Sequence, residues 1–128
     1  MSREELNKLS KIILDASIDV HREMGPGLLE SIYELCLSDE LNSRGLHIEN
    51  QVSIPLLYKG KELSKDFRID ILVENTIILE IKSLESILPV HEAQIISYLK
   101  LTDKRLGFLI NFNVALLKHG FKRFVHNF

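Results

Sequence analysis

Cysteine, tryptophan and proline are scarce in this 128-residue chain, which has one, none and three of them. The single Cys36 excludes an internal disulfide and a cysteine-based zinc cluster, and it fits a reducing compartment. With only six glycines, the chain is neither collagen-like nor of low complexity. We therefore expect a folded cytoplasmic protein.

Long apolar runs and a strong net charge are also missing. No stretch approaches the roughly 18 apolar residues of a membrane span, so no membrane association is expected. A formal net charge of −2 excludes a histone-like basic protein. The charge is uneven, because residues 1–58 carry five basic and ten acidic residues, whereas residues 93–128 carry six and one. Such asymmetry permits phosphate contact on one face, although a solvated surface gives the same pattern.

Hydrophobic periodicity predicts a single domain over residues 1–128 with the element order α-α-β-β-β-α-β-β. Apolar residues spaced by three and four predict a helix over 3–24. Gly25-Pro26-Gly27 ends it, and a second helix follows, with Gly45 at its end. The buried stripe predicted for the second helix is Leu29, Ile32, Tyr33, Cys36, Leu37 and Leu41.

Shorter apolar segments predict a mixed α/β sheet. The predicted strands are 47–58, 66–73, 77–82, 106–112 and 121–126. Pro55 indicates an edge or a bulge in the first of them. A third helix over 90–101 crosses between the third and fourth strands. Its predicted core contacts are Ala93, Leu99 and either Ile95 or Ile96.

Charged residues stand in the second and third strands where apolar residues are expected. Since a strand alternates its faces, Asp70 shares a face with Arg68, and Glu80 shares one with Lys82. A two-residue turn between these strands sets Asp70 opposite Leu79, whereas a three-residue loop sets it directly opposite Glu80. The sequence alone leaves both registers open.

Two adjacent carboxylates in apolar strands repel each other and lose hydration, which a divalent cation with oxygen ligands offsets. The alternative is a surface ion-pair ladder on the wet face of a hairpin. The polar residues on the predicted helices likewise have both a functional and a purely structural interpretation. Glu30 lies in the opening turn of the second helix, where the helix dipole favours an acid. His91, Gln94 and Tyr98 form one stripe of the third helix, which also fits an ordinary polar flank.

These residues resemble a known family. Asp70, nine residues and Glu80-Ile81-Lys82 resemble the D…ExK signature of the PD-(D/E)XK nuclease superfamily, without the proline of the formal motif. Gln94-Ile-Ile-Ser-Tyr98 is similar to the QxxxY element of its helicase-associated exonuclease branch. Gly27-x-x-Glu30-x-x-Tyr33 resembles the defining motif of the small bacterial and archaeal GxxExxY family. The resemblance extends from about Leu9 to Arg123.

The resemblance implies a restriction-endonuclease-like core and metal-dependent hydrolysis of phosphodiester bonds. The substrate implied is DNA, cut as an endo- or exonuclease without strong sequence specificity. The implied ligands of Mg²⁺ or Mn²⁺ are Asp70, Glu80 and the carbonyl of Ile81. The implied catalytic residues are Lys82, which orients or deprotonates water, Glu30 as an outer carboxylate, and Gln94 and Tyr98, which position substrate or water.

Substrate contact is expected from six further residues, His91, Tyr33, Arg68, Lys100, Lys104 and Arg105. For the basic ones, a soluble surface is the alternative. The apolar C-terminal segment fits either a contact with a second protomer or partner protein, or an edge strand. The competing hypotheses for function are a catalytically silent nuclease-fold module that binds nucleic acid or protein, and a purely structural charged hairpin.

Overall fold

The helices and strands follow the predicted order. The computed structural model describes the backbone of residues 1–128 and every side chain except that of residue 65. Its elements are α1 (Arg3–Met24), α2 (Glu30–Ser43), β1 (Ile48–Tyr58), β2 (Lys61–Val73), β3 (Ile77–Lys82), α3 (Pro89–Thr102), β4 (Leu106–Asn111) and β5 (Phe121–Val125), with a 3₁₀ turn at Leu117–His119. The mixed α/β class is therefore confirmed.

The described strands form one five-stranded sheet in the order β1-β2-β3-β4-β5. Strands β3 and β4 are parallel, and the other neighbouring pairs are antiparallel. Because α3 connects the two parallel strands, it is the crossover helix of a β-α-β unit. The register of β1 against β2 shifts between Ile54 and Leu56, which confirms the bulge predicted at Pro55.

Helices cover both faces of the sheet. On one face, Leu79 and Ile81 of β3 belong to a core with residues of α1 and α2. On the other, Ile78 packs in a second core with Ile95 and Tyr98 of α3. Since strand side chains alternate, Glu80 and Lys82 lie on the α3 face of β3. None of the described helices is long and apolar enough to span a membrane.

Local sequence signals place the helices. A capping box begins α1, in which the Ser2 hydroxyl accepts from the Glu5 amide at 3.1 Å. Pro89 occupies the first turn of α3, where it needs no amide hydrogen. Gly107 lets α3 approach β4, because a Cβ there would lie 3.1 Å from Ile95 Cδ1.

Some burial predictions were wrong. Leu29 is 73% exposed and Ile32 is 37% exposed, because α2 begins only at Glu30 and buries a narrower stripe that includes Tyr33 and Leu37. On α3, Ala93 is exposed rather than in the core. Of the two isoleucines left open there, Ile95 is fully buried and Ile96 is exposed. Strand β2 begins at Lys61, earlier than predicted, since the hairpin with β1 continues beyond the central sheet.

Candidate metal and catalytic site

The loop between β2 and β3 sets the register on which the site depends. Ile71 pairs with Leu79, and the connecting residues 74–76 form a three-residue loop. Its first two residues have φ of 50° and 55°, the left-handed conformation of tight turns. One step further along this register, Asp70 lies opposite Glu80. The three-residue loop is therefore confirmed.

Strands β2 and β3 part where the carboxylates lie. Their pairing ends at Ile71 and Leu79. Beyond that point, the Ile81 amide donates to Asp70 Oδ2 at 2.8 Å, in place of a backbone carbonyl. A strand residue directs its N–H and C=O to the same side, so the Ile81 carbonyl also points toward β2. The carboxylate of Asp70 therefore lies between the diverging ends of β2 and β3, on the side to which the Ile81 carbonyl points.

Glu80 is a buried acid with incomplete hydrogen bonding. It is 4% exposed, and its Oε1 has no hydrogen-bond partner among the described residues. The pKa of Glu80 is raised from 4.5 to about 9, chiefly by burial and then by the charge of Asp70, while the charge of Lys82 opposes the rise. A buried polar atom without a partner is costly, and most buried polar atoms in proteins have one.

Lys82 is the cation of this site. It is half-buried, and its backbone carbonyl accepts from the Phe112 amide at 2.9 Å, which fixes the end of β3. Its ammonium makes no hydrogen bond or ion pair within the described part of the chain. Its charge lowers the pKa of Glu80, and its side chain lies two residues along β3 from Glu80 on the same face of the sheet.

The donor set fits a hard divalent cation. Two carboxylates, Asp70 and Glu80, and the Ile81 carbonyl offer only oxygen, the ligand atom that Mg²⁺ and Mn²⁺ prefer. The described side chains contain no group of three or more His, Cys, Asp and Glu residues arranged as a metal site. Mg²⁺ commonly keeps several waters and takes one or two carboxylates plus substrate phosphate. The unpartnered Oε1 of Glu80 is one oxygen of this donor set.

On α2, it is Glu34 rather than Glu30 that is tied to the carboxylates. Gln51 Nε2 donates to Glu34 Oε1 at 2.7 Å and to Asp70 Oδ1 at 3.3 Å. Burial raises the pKa of Glu34, with a further contribution from the charge of Asp70. Glu30 is exposed and makes no hydrogen bond or ion pair among the described residues. It lies one turn before Glu34 on the same helix face.

Gln51 has an unusual backbone for a strand residue. The neighbouring pair of Asn50 with Ile71 sets Gln51 opposite Asp70. Its φ is 52°, a left-handed conformation that costs a non-glycine residue roughly 1–3 kcal/mol. The residue with this distorted backbone is the one whose side-chain amide bridges Glu34 and Asp70.

Tyr33 is a buried anchor of the loop before α2. Its hydroxyl donates to the Gly25 carbonyl at 2.5 Å and accepts from the Leu28 amide at 3.1 Å. Its ring stacks on Phe112 with centroids 4.5 Å apart. Ser83 ties the same loop to the end of β3 by donating to the Leu28 carbonyl. Since Tyr33 is fully buried, its position fits loop anchoring rather than direct substrate contact.

Two members of the α3 stripe reach the site. Gln94 Nε2 donates to the Tyr98 hydroxyl at 3.1 Å. Burial raises the pKa of Tyr98, and the negative charge of Glu80 raises it further. Tyr98 packs in the same core as Ile78, on the face of β3 that also carries Glu80. His91 is at the start of the helix, where its Nδ1 accepts from the Leu88 amide at 2.9 Å. One ring nitrogen of His91 is thus used in capping.

The basic candidates divide between two ends of the sheet. Arg68 donates to a backbone carbonyl of β1 at 3.3 Å, and Lys100 lines a groove with Gln94 and Tyr98. In contrast, Lys104 donates to the carbonyl of Asn75, in the loop beyond the end of β2, and Asp70 lies three residues or about 10 Å before that end. Arg105 donates to the carbonyl of the first residue. The structure therefore does not bring Lys104 and Arg105 together with the carboxylates.

The sequence analysis missed Glu34 and Gln51. The signal for Glu34 was its place four residues after Glu30, on the same face of the helix. The signal for Gln51 was a break in apolar alternation after Asn50. Neither signal identifies a site without knowing that β1 lies beside Asp70.

Comparison with known proteins identifies a superfamily for the chain. A model of the PD-(D/E)XK nuclease superfamily matches residues 7–124. Searches of curated proteins and of solved structures found no match. The matched range includes Asp70, Glu80, Lys82 and the helices on both faces of the sheet. The chain therefore belongs to the PD-(D/E)XK nuclease superfamily.

Proposed function

We propose that this protein is a divalent-metal-dependent nuclease that hydrolyses phosphodiester bonds in DNA without strong sequence specificity. The observation that carries the proposal is Glu80, a buried carboxyl with an unpartnered oxygen next to Asp70. An acid in this position is costly unless a cation joins it. The available amine of Lys82 beside it suits phosphate chemistry.

Asp70, Glu80 and the Ile81 carbonyl would hold Mg²⁺ or Mn²⁺. When bound, such a cation supplies positive charge for the phosphate and activates water for attack. The Ile81 amide fixes one oxygen of Asp70 and Gln51 the other, so the carboxylate is oriented before any ligand arrives. This preorganisation is typical of the partners of metal ligands.

The remaining residues act on substrate and water. Lys82 orients the attacking water and stabilises charge on the phosphate. Tyr98, held by Gln94 at 3.1 Å, donates its hydroxyl to a phosphate oxygen. Glu34 takes the place of the outer carboxylate expected at Glu30, because Gln51 connects it to Asp70.

We also propose that the chain belongs to the GxxExxY family within the superfamily. The supporting observation is that the tyrosine of the motif hydrogen-bonds to the loop that contains its glycine. Gly27 has a φ of 93°, which favours glycine, and Tyr33 holds both ends of the loop from Gly25 to Leu28. The motif thus fixes the start of α2, the helix that carries Glu30 and Glu34.

The test is an incubation of the purified protein with linear, circular and single-stranded DNA and with RNA, in Mg²⁺, Mn²⁺ or EDTA. We expect cleavage of DNA that EDTA abolishes. Glu80→Ala and Lys82→Ala should fold and lose cleavage, whereas Lys118→Ala, at an exposed position, should retain it. Unchanged cleavage in both site variants contradicts the proposal. Metal-dependent binding without cleavage by the wild type would instead assign a catalytically silent module.

A further inference from the structure

An apolar groove adjoins the candidate site. It lies between α3 and the outer half of the β1–β2 hairpin and has a volume of about 480 Å³, within the range of small-ligand pockets. Its walls include Leu56, Phe67, Tyr98 and Leu101. The Phe67 ring is 39% exposed and lies 6.1 Å from the Tyr98 ring, tilted by 55°. A flat ring therefore has an aromatic face on which to stack.

The polar groups of the groove are few and suit a nucleotide. Lys100 is its cation, and Gln94 and Ser97 add neutral hydrogen-bonding groups, while no carboxylate lines it among the described side chains. An uncharged heteroaromatic ring fits the apolar walls, and the phosphate attached to such a ring fits the ammonium of Lys100. An anion alone would leave the apolar walls without a partner.

The groove is continuous with the site. Tyr98 and Gln94 line the groove, and they also form the hydrogen-bonded pair next to the carboxylates. Phe67 precedes Asp70 by three residues on β2, or about 10 Å. Three stacked nucleotides of one strand span about that length. A strand whose phosphate is at Asp70 and Glu80 therefore brings a base about three nucleotides away to Phe67.

We propose that this groove binds an unpaired nucleobase of the substrate strand, stacked on Phe67, so that the substrate is single-stranded or frayed DNA. The inference rests on the proposed nuclease function and adds the substrate class to it. A base inside a duplex has its faces covered by neighbouring base pairs, whereas a base in a single strand is free to stack on an aromatic side chain.

Binding of 2-aminopurine-labelled DNA tests the inference. The probes are a single strand of about 12 nucleotides and a duplex of the same sequence, mixed with protein in EDTA and in Mg²⁺. In Phe67→Ala we expect about 5- to 100-fold weaker single-strand binding and loss of the fluorescence change, since stacking contributes strongly per base. Phe67→Trp should retain both effects. Tyr58→Ala, an exposed aromatic on the same hairpin but outside the groove, is the matched control and should bind like the wild type.

A second variant guards against misfolding. If Phe67→Ala melts far below the wild type, single-strand binding is measured instead with Leu101→Glu. The Leu101 side chain is 43% exposed, so the variant should fold, and the added acid in the groove should weaken binding of the strand. Wild-type affinity for the single strand in the folded variant overturns the inference, as does failure of the wild type to bind it in either buffer. Conversion of a dimer to a monomer with unchanged DNA affinity also overturns it, and identifies the groove as a surface for a second copy.

The two proposals fail in different ways. If the wild type binds the single strand through Phe67 but cleaves no substrate, the groove is supported and the nuclease function is not. If it cleaves single strands and duplexes equally and Phe67→Ala changes neither, the nuclease function stands and the groove inference is wrong.

Discussion

Glu80 is a carboxyl group in β3, where the three residues before it and the one after it are isoleucine or leucine. Its neighbours supply only part of the compensation that a buried acid needs. Asp70 adds repulsion, Lys82 adds attraction, and one oxygen has no partner among the described residues. Without a cation, Glu80 is therefore held in its protonated form at neutral pH.

This environment predicts the effect of Glu80→Gln. In EDTA at neutral pH the variant should be more stable than the wild type, with a melting temperature at least about 3 °C higher, because a neutral amide avoids the cost of burying an ionisable group. It should also lose the stabilisation that Mn²⁺ gives the wild type. Differential scanning fluorimetry with and without Mn²⁺ measures both. Glu85→Gln, which changes an exposed acid nearby, should match the wild type, and a lower melting temperature in Glu80→Gln would contradict the explanation.

The pH dependence of stability follows from the same group. The pKa of Glu80 rises from 4.5 to about 9 on folding, so the folded state binds a proton that the unfolded state has lost between these values. The contribution of Glu80 is complete below pH 4.5 and decreases as the pH rises toward 9. Asp70 opposes its ionisation and Lys82 favours it. In urea unfolding without metal, wild-type stability relative to Glu80→Gln should fall steadily from pH 5 to about pH 9. A constant difference would show that Glu80 titrates normally.

At the scale of elements, β1 contributes the Gln51 side chain to the candidate site from a position where the strand backbone is distorted. Gln51→Gly separates these two effects, because glycine accepts the φ of 52° but has no amide to join Glu34 and Asp70. The free energy of unfolding should stay within about 1 kcal/mol of wild type, while Mn²⁺ affinity falls about 10- to 100-fold, as for other residues that orient metal ligands.

Calorimetric titration with Mn²⁺ and urea unfolding measure the two effects. Lys59→Gly is the matched control, since Lys59 also has a left-handed backbone, with φ of 51°, at the far end of the hairpin. It should bind Mn²⁺ like the wild type. Equal Mn²⁺ affinity in Gln51→Gly would mean that the bridge does not orient Asp70.

Sequence patterns predicted the elements well and the side-chain neighbours less well. The order of elements follows from periodicity, a local property of the chain, whereas the sequence leaves the register of Asp70 against Glu80 open between two loop lengths, and the structure decides it. The exposure of Ile32 and Ala93 and the bridge through Gln51 depend on how helices sit against the sheet. Those relations are set by packing between distant segments, so the pattern that predicted a carboxylate on α2 did not distinguish Glu30 from Glu34.

At the scale of the molecule, the basic residues of the C-terminal third serve different ends of the sheet. Lys100 lines the groove beside the site, whereas Lys104 is bonded to the carbonyl of Asn75 on the loop between β2 and β3. We expect a DNA strand held at Asp70 and Phe67 to pass Lys100 and to run away from the loop to which Lys104 is bonded. The net charge of −2 gives no indication of how these basic residues are distributed over the sheet.

The salt dependence of single-strand binding tests which end the DNA occupies. Each phosphate contact made by a cation contributes about 0.7 to the slope of log affinity against log salt for a single strand. Lys100→Gln should reduce that slope by about this amount, and Lys104→Gln, which removes the same charge from the other end, should leave it unchanged. Fluorescence anisotropy over a range of NaCl concentrations measures the slopes. Equal reductions in the two variants would place the DNA across the whole basic surface, and a reduction in Lys104→Gln alone would place it at the far end of the sheet, away from the carboxylates.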